Sequence, residues 1–185
     1  MTISKTGFLM FTMAAAVLTG GTDQCPVQAE QSVSISKFND LASRLKNLED
    51  REEIRQLLLD YGRFLDSRDF SSFSGLFAET EGEWIGGFGQ AKGSKAIQQL
   101  MESTIGGDTP KTKSCHLFTN EIINISGDQA SAVTKWIFVA PSESNQPRMV
   151  FVGHYEDTLI REDNRWKFLR RVVHGDIPSD DQINK

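Results

Sequence analysis

The sequence predicts a single α+β domain in which helices cover one face of a mostly antiparallel sheet. Up to residue 101 the apolar side chains recur mostly at helical spacing, whereas residues 116–173 form long segments rich in β-branched and aromatic side chains. Helices followed by a run of strands are typical of α+β folds. The chain has 185 residues, 38% of them hydrophobic and 24% charged, which suits one hydrophobic core.

The N-terminal segment differs from the rest of the chain. Lys5 precedes an apolar run at residues 8–18, and Val27-Gln28-Ala29 places small residues where signal peptidase requires them. The apolar run is much shorter than the ~20 residues that a membrane-spanning helix needs, so a retained anchor is the less favoured alternative. We therefore expect a periplasmic or secreted protein. The predicted organisation is a cleavable signal peptide over residues 1–29, a mature domain over 30–178 and a flexible tail over 179–185.

Three helices are predicted in the first half of the mature chain. Apolar residues at three- and four-residue steps indicate a long amphipathic helix over residues 38–65. Asp69 is typical of an N-cap and predicts a short second helix after it. The glycines around residues 86–89 favour a hairpin or irregular loop, because no phosphate-binding pattern follows them. Residues 94–101 form the third predicted helix.

The second half predicts a strand meander. Its turn-like segments lie at residues 126–128, 141–147 and 162–164, which fit connections between antiparallel strands. The core is expected where the first helix crosses this sheet. The predicted strands cover residues 116–125, 130–140, 149–160 and 166–173, and the predicted core contacts are Leu45, Leu58, Tyr61 and Leu65 against Trp136, Phe151 and Trp166.

Charge and composition exclude several classes of function. The net charge is -5 and the basic residues are scattered, so a nucleic-acid partner is not expected.

After signal cleavage Cys115 would be the sole thiol, serving either as a reactive nucleophile or as a small buried hydrophobe. His116, His154 and His174 lie far apart in sequence, so no metal site is predicted.

Asp66 and His116 are the side chains best suited to acid–base chemistry. Asp66 lies near the C-terminus of the first helix among apolar residues, where the helix dipole and loss of hydration both favour the protonated acid. Its alternative role is a turn acid that bonds nearby backbone or pairs with Arg68. His116 begins a strand and either points into a pocket or packs in the core. Arg170 and Arg171 face opposite sides of the last strand, so one of them could bind an acidic group.

Several motifs resemble the SnoaL-like family of the nuclear-transport-factor-2-like superfamily over roughly residues 45–173. They are a helix that ends in Tyr61 and Asp66, a histidine that opens a strand, and a Gly-x-Tyr-x-Asp strand followed by Arg-Trp-Lys-Phe. The resemblance implies a cone-shaped α+β barrel: a strongly curved, mostly antiparallel sheet with about three helices packed on it. Tyr61, Asp66 and His116 match catalytic positions of bile-acid 7α-dehydratase, and Asp66 and His116 also match scytalone dehydratase. The second catalytic histidine of scytalone dehydratase falls near Pro141 here.

This resemblance implies a cofactor-independent lyase or isomerase, with dehydratase-like chemistry on a hydrophobic carbonyl-bearing molecule such as a polyketide or steroid. A polyketide cyclase and a non-catalytic binding or accessory protein are the alternatives, because one fold supports several functions. A homodimer or other homo-oligomer is expected, and no cofactor is required. The predicted catalytic residues are Asp66, His116 and Tyr61, and the predicted substrate-binding residues are Trp84, Phe88, Phe118, Trp136 and His154.

Overall fold

A computed structural model of the protein describes residues 26–107 and 113–178. The predicted signal peptide lies almost wholly outside these residues, and the predicted tail lies outside them entirely. Among the described helices, none combines the length and the apolar character needed to cross a membrane. The helices are α1 (Pro26–Ser67), α2 (Phe70–Ser74) and α3 (Ser94–Ile105), and the strands are β1 (Glu83–Gly86), β2 (Gly89–Lys92), β3 (Cys115–Ser126), β4 (Gln129–Pro141), β5 (Pro147–Glu162) and β6 (Arg165–Ile177).

The chain divides into two compact units, with the boundary between Leu41 and Ala42. In the first unit, the described residues are the opening turns of α1, and the apolar side chains of Val33, Ile35, Phe38 and Leu41 are exposed. The second unit contains the rest of α1, both other helices and all six strands. It therefore corresponds to the predicted α+β fold.

The six strands form one sheet in the order β2-β1-β6-β5-β4-β3. Every neighbouring pair is antiparallel except β1 and β6, which run parallel. Each of the three long pairings contains a register shift, and such bulges bend strands and increase their twist. The predicted α+β class with a curved, mostly antiparallel sheet is therefore confirmed.

Among the side chains of α1 that the structure describes, Ile54 is the first that belongs to the core. Leu58 and Tyr61 are buried as predicted, and Leu65 packs against the core while partly exposed. The prediction for Leu45 was wrong, because its side chain is 54% exposed. Helical periodicity identifies the apolar face of a helix, but it does not show how far the opposing sheet extends along that face.

Local signals in the helical half agree with the structure. The Oδ1 atom of Asp69 accepts a hydrogen bond from the backbone N–H of Ser72 at 3.0 Å and so caps α2. The glycine-rich segment forms the β1–β2 hairpin, in which Gly86 pairs with Gly89. On the sheet, Trp136 and Trp166 are buried, and Phe151 is partly buried against the core. These elements leave a cavity between α1, α3 and the inner face of the sheet.

Candidate active site

A cavity of about 180 Å³ lies between the helices and the inner face of the sheet. Its wall is almost entirely apolar, and its few polar groups come mainly from α1, the residues just after it and the start of β3. Such a pocket, apolar with a few polar groups at one end, is the usual form of a small-molecule site. The apolar wall consists of Leu65, Trp84, Phe88, Met101, Ile105, Trp136, Phe138, Phe151 and Val173, and the polar groups belong to Tyr61, Arg68, Ser114, His116 and Tyr155.

His116 and Asp66 form a hydrogen-bonded pair beside this cavity. The ring Nδ1 of His116 lies 2.7 Å from Oδ1 of Asp66. The backbone N–H of His116 donates to Oδ2 of the same carboxylate at 2.8 Å, and the hydroxyl of Ser114 donates to Oδ1 at 3.1 Å. Asp66 therefore bonds the start of β3, and its bonds connect two elements distant in sequence. The alternative of a purely local turn acid does not account for these contacts.

The carboxylate decides which nitrogen of His116 is available for chemistry. Because Nδ1–H donates to Asp66, the neutral ring leaves Nε2 as a proton acceptor. The imidazole is only 11% exposed and lies against the ring of Phe138, with 4.9 Å between ring centroids. The site therefore holds an oriented acid–base group in an apolar setting, which is the arrangement that proton transfer requires.

Gly62 permits α1 to approach β3 closely enough for this pair to form. A Cβ atom at residue 62 would lie 2.5 Å from Cε2 of Phe118 and 3.1 Å from Cβ of His116. The first contact would force the ring of Phe118 to move, and the second is tight enough that His116 would have to shift by a few tenths of an ångström. A glycine inside a helix is unfavourable by itself, so Gly62 was a sequence signal that could have indicated this close contact.

Tyr61 lines the cavity as predicted, but its hydroxyl already has a partner. The indole N–H of Trp84 donates to the Tyr61 hydroxyl oxygen at 2.9 Å. Burial raises the pKa of Tyr61, and burial raises the pKa of Tyr155 well above its usual value. Both phenols therefore stay protonated at neutral pH and can donate hydrogen bonds but cannot act as bases.

A buried ion pair supports these tyrosines and was not identified from the sequence. The guanidinium of Arg171 donates two hydrogen bonds of 2.7 Å to Asp157, and neither side chain is exposed. It lies 4.0 Å from the ring centroid of Tyr61 and 4.2 Å from that of Tyr155. Burial raises the pKa of Asp157, against the opposing attraction of Arg171. Arg170 instead pairs with Glu83 at the surface.

The pairing of Arg171 with Asp157 follows from strand register. The two residues are directly opposed in the antiparallel β5–β6 pair. The sequence signal for this pair is two opposite charges at matching positions of adjacent strands. It can be recognised only after the register of the two strands is known. Of the two arginines considered from the sequence, one is therefore buried and structural and the other is a surface residue.

The remaining predicted site residues separate into two groups. Trp84, Phe88 and Trp136 line the cavity. Phe118 does not line it but stacks beside His116. His154 lies on the other face of the sheet, because its neighbour Tyr155 faces the cavity and side chains alternate along a strand.

Cys115 is exposed, which corrects the expectation of a small buried hydrophobe. It lies at the first position of β3, immediately before His116. The alternation of side chains along that strand turns its thiol away from the cavity that His116 lines.

The family model for the SnoaL-like domain matches residues 46–172. The chain belongs to the SnoaL-like family, within the nuclear-transport-factor-2-like superfamily. An uncharacterized protein of Mycobacterium tuberculosis is 29% identical over 129 residues, which cover 68% of this chain and 84% of that protein. The region that matches the family model begins close to the first buried turns of α1 and ends on β6.

Solved structures share this SnoaL-like fold. An NTF2-like protein with a cystatin-like fold from Novosphingobium aromaticivorans has 28% identity and a TM-score of 0.66, covering 79% of this chain and 94% of its own. A candidate scytalone dehydratase from the same organism has 25% identity and a TM-score of 0.59, covering 70% of this chain and 85% of its own. The family and its fold are thus established for this chain.

Proposed function

We propose that this SnoaL-like protein is a lyase or isomerase that moves a proton next to the carbonyl group of a hydrophobic small molecule. The observation that carries the proposal is the 2.7 Å contact between Asp66 and His116 at the polar end of an apolar cavity. Chemistry of this kind needs no cofactor. Similarity to a candidate scytalone dehydratase adds support for a dehydratase-like reaction.

In the proposed reaction, Nε2 of His116 removes the proton from the carbon beside the carbonyl. Asp66 stabilises the imidazolium that forms, since its carboxylate accepts the Nδ1–H hydrogen bond throughout. A phenol of Tyr61 or Tyr155 donates to the developing enolate oxygen, and both phenols remain protonated at neutral pH. The imidazolium then returns its proton to a departing hydroxyl in a dehydratase, or to a second carbon in an isomerase.

The size of the cavity restricts the substrate. A volume of about 180 Å³ only slightly exceeds the ~150 Å³ of an apolar cavity that holds benzene. A single ring with its carbonyl group fits this space. A polyketide or steroid would therefore place one ring in the cavity and leave the remainder of the molecule outside. A polyketide cyclase would use the same enolate for an intramolecular aldol step.

Solvent-deuterium exchange tests the proposal with simple ketones in place of the natural substrate. Cyclic ketones with one or two rings are incubated with the protein in D₂O, and NMR follows the loss of the proton signal beside the carbonyl. We expect the wild-type chain to accelerate this exchange for at least one ketone. His116→Ala should reduce the acceleration by ~10²–10⁴-fold, the usual contribution of a positioned acid–base group.

The matched control is Asp128→Asn, which changes an exposed carboxylate on the β3–β4 turn that pairs with Arg161. This variant should exchange protons at the wild-type rate, whereas Asp66→Asn should lose the acceleration. Ketones that bind without exchanging would instead identify a non-catalytic binding protein. Equal exchange by wild type and His116→Ala would contradict the catalytic assignment.

We also propose that the protein is exported and forms a homodimer through the outer face of its sheet. The directly paired residues Leu117, Ile137, Val152 and Ile177 form an apolar row across four strands on that face, and two of them are exposed large hydrophobic side chains. Light scattering should give twice the chain mass, and Leu117→Lys should give a monomer.

Export predicts a native N-terminus at Glu30, which N-terminal sequencing checks.

A further inference from the structure

Two histidines that are distant in sequence become neighbours on the outer face of the sheet. His154 of β5 pairs directly with His174 of β6, and their rings stack with 4.6 Å between centroids. Glu156, two residues after His154 on the same face, completes the group. Its carboxylate oxygens lie 4.0 Å from Nε2 of His154 and 3.6 Å from Nε2 of His174. We propose that His154, Glu156 and His174 bind a divalent transition-metal ion such as Zn²⁺.

The ligand atoms are close enough to surround one ion. One nitrogen or oxygen from each residue lies within 4.8 Å of the other two. Zinc bound at ~2.0–2.2 Å by nitrogen and oxygen ligands brings those atoms to about 3.3 Å from one another. Side-chain rotations that move the ligand atoms by roughly 1 Å are therefore enough to form the site. Two imidazoles and one carboxylate form a ligand set that zinc accepts, with water in the open position.

A second carboxylate orients one of the proposed ligands. Nδ1 of His154 lies 2.7 Å from Oδ1 of Asp176, which leaves Nε2 facing Glu156. Metal-binding histidines generally donate their other ring N–H to a carboxylate in this way. The ammonium of Lys135 lies 2.6 Å from Oδ2 of Asp176, so this acid is already neutralised and serves as an orienting group.

His174 supplies an independent observation in favour of a ligand. Its Nε2 atom is enclosed and has no hydrogen-bond partner among the described parts of the chain. A buried polar atom without a partner is unfavourable unless something unseen satisfies it. The carboxylate of Glu156 lies 3.6 Å away, and a metal ion between the two groups would satisfy both. Neither histidine contributes to the cavity wall, so this site is separate from the proposed active site.

The test is titration of the untagged, chelator-treated chain with Zn²⁺ by calorimetry, and with Co²⁺ by visible absorption. We expect saturation at one ion per chain and the intense visible bands of low-coordinate Co²⁺. His154→Ala and His174→Ala should each weaken binding at least ~10-fold. Glu156→Gln should do the same, and this exposed residue can change without threatening the fold.

Matched controls separate this site from general histidine or acid effects. His116→Ala removes the remaining histidine, and Glu143→Gln removes an exposed acid from the β4–β5 loop. Both should bind Zn²⁺ with wild-type affinity. A chain that shows no saturable binding, or whose binding survives both His154→Ala and Glu156→Gln, would refute the site. Deuterium exchange by the same samples is scored separately, so a failed metal site leaves the proposed reaction unaffected.

Discussion

The two faces of the sheet each carry a histidine whose Nδ1 lies 2.7 Å from an aspartate oxygen. On the inner face the pair is His116 with Asp66, and on the outer face it is His154 with Asp176. The surroundings of the free Nε2 atoms differ. The Nε2 atom of His116 belongs to a ring that faces an apolar cavity. The Nε2 atom of His154 lies 4.0 Å from the carboxylate of Glu156.

The difference shows that a histidine–aspartate pair acquires its role from what lies opposite the second nitrogen. The inner cavity is mostly apolar, and Nε2 of His116 and the nearby phenols are among its few polar groups, which favours proton transfer. A second histidine and a carboxylate offer a cation three ligands, which favours metal binding. Substitutions on the two faces test this contrast, from the largest expected effect to the smallest.

The largest effect is expected at the inner pair. Asp66→Asn and His116→Ala should each lower the rate of the proposed reaction by ~10²–10⁴-fold, and the double variant should be little worse than either single one. The reason is that the two side chains act as one unit. Single-turnover rates measure this, with the melting temperature as a check on folding. Independent, multiplicative losses would contradict a coupled pair.

The next effect is expected at an ion pair that contains no histidine. Asp157→Asn leaves the guanidinium of Arg171 buried without its counter-charge, so the free energy of unfolding should fall by about 3–5 kcal/mol. Urea denaturation measures this loss. The double variant Asp157→Asn with Arg171→Met should recover part of it, because no unpaired charge remains. If the single and double variants have the same free energy of unfolding, the loss comes from altered packing of the side chains and not from the unpaired charge of Arg171.

A smaller effect separates the two aspartates. Asp176→Asn should weaken Zn²⁺ binding by ~10–100-fold, because the carboxylate that orients His154 is lost. Asp66→Asn, the equivalent change on the inner face, should leave the zinc affinity unchanged. Calorimetric titration of both variants gives the comparison. If they bind zinc equally well, the orienting role of Asp176 is wrong.

The smallest effect concerns pH and the outer pair. The hydrogen bond from Lys135 holds the pKa of Asp176 below its usual value, with a further contribution from His154. The unfolded chain therefore binds a proton more readily, so this stabilisation is complete above the unfolded pKa near 3.9 and is lost as the pH falls through the folded pKa. Lys135→Met should remove ~0.2–1 kcal/mol at pH 7 and less at pH 3. If the free energy of unfolding lost in Lys135→Met is the same at both pH values, Lys135 stabilises the fold through packing and not through its charge.

Much of the fold could be predicted because its signals are local. The cap at Asp69, the glycine hairpin and the β-rich segments after residue 115 depend on neighbouring residues and were correctly identified. Leu45 was misplaced because burial depends on what covers a helix face, and periodicity contains no information about that cover. His154 was assigned to the substrate cavity because the inner and outer faces of a strand look alike in sequence.

The sequence by itself determined the α+β class, the places of the three helices and the four long strands, and the presence of Asp66 and His116 as candidate partners, although α1 begins at Pro26 and not at the predicted Phe38. The tertiary structure decided which groups meet. Gly62 brings α1 against β3 so that Asp66 reaches His116, and the β5–β6 register opposes Arg171 with Asp157 and His174 with His154. Short-range rules follow from neighbouring side chains, whereas the choice of face and register is fixed only when a whole sheet buries one side.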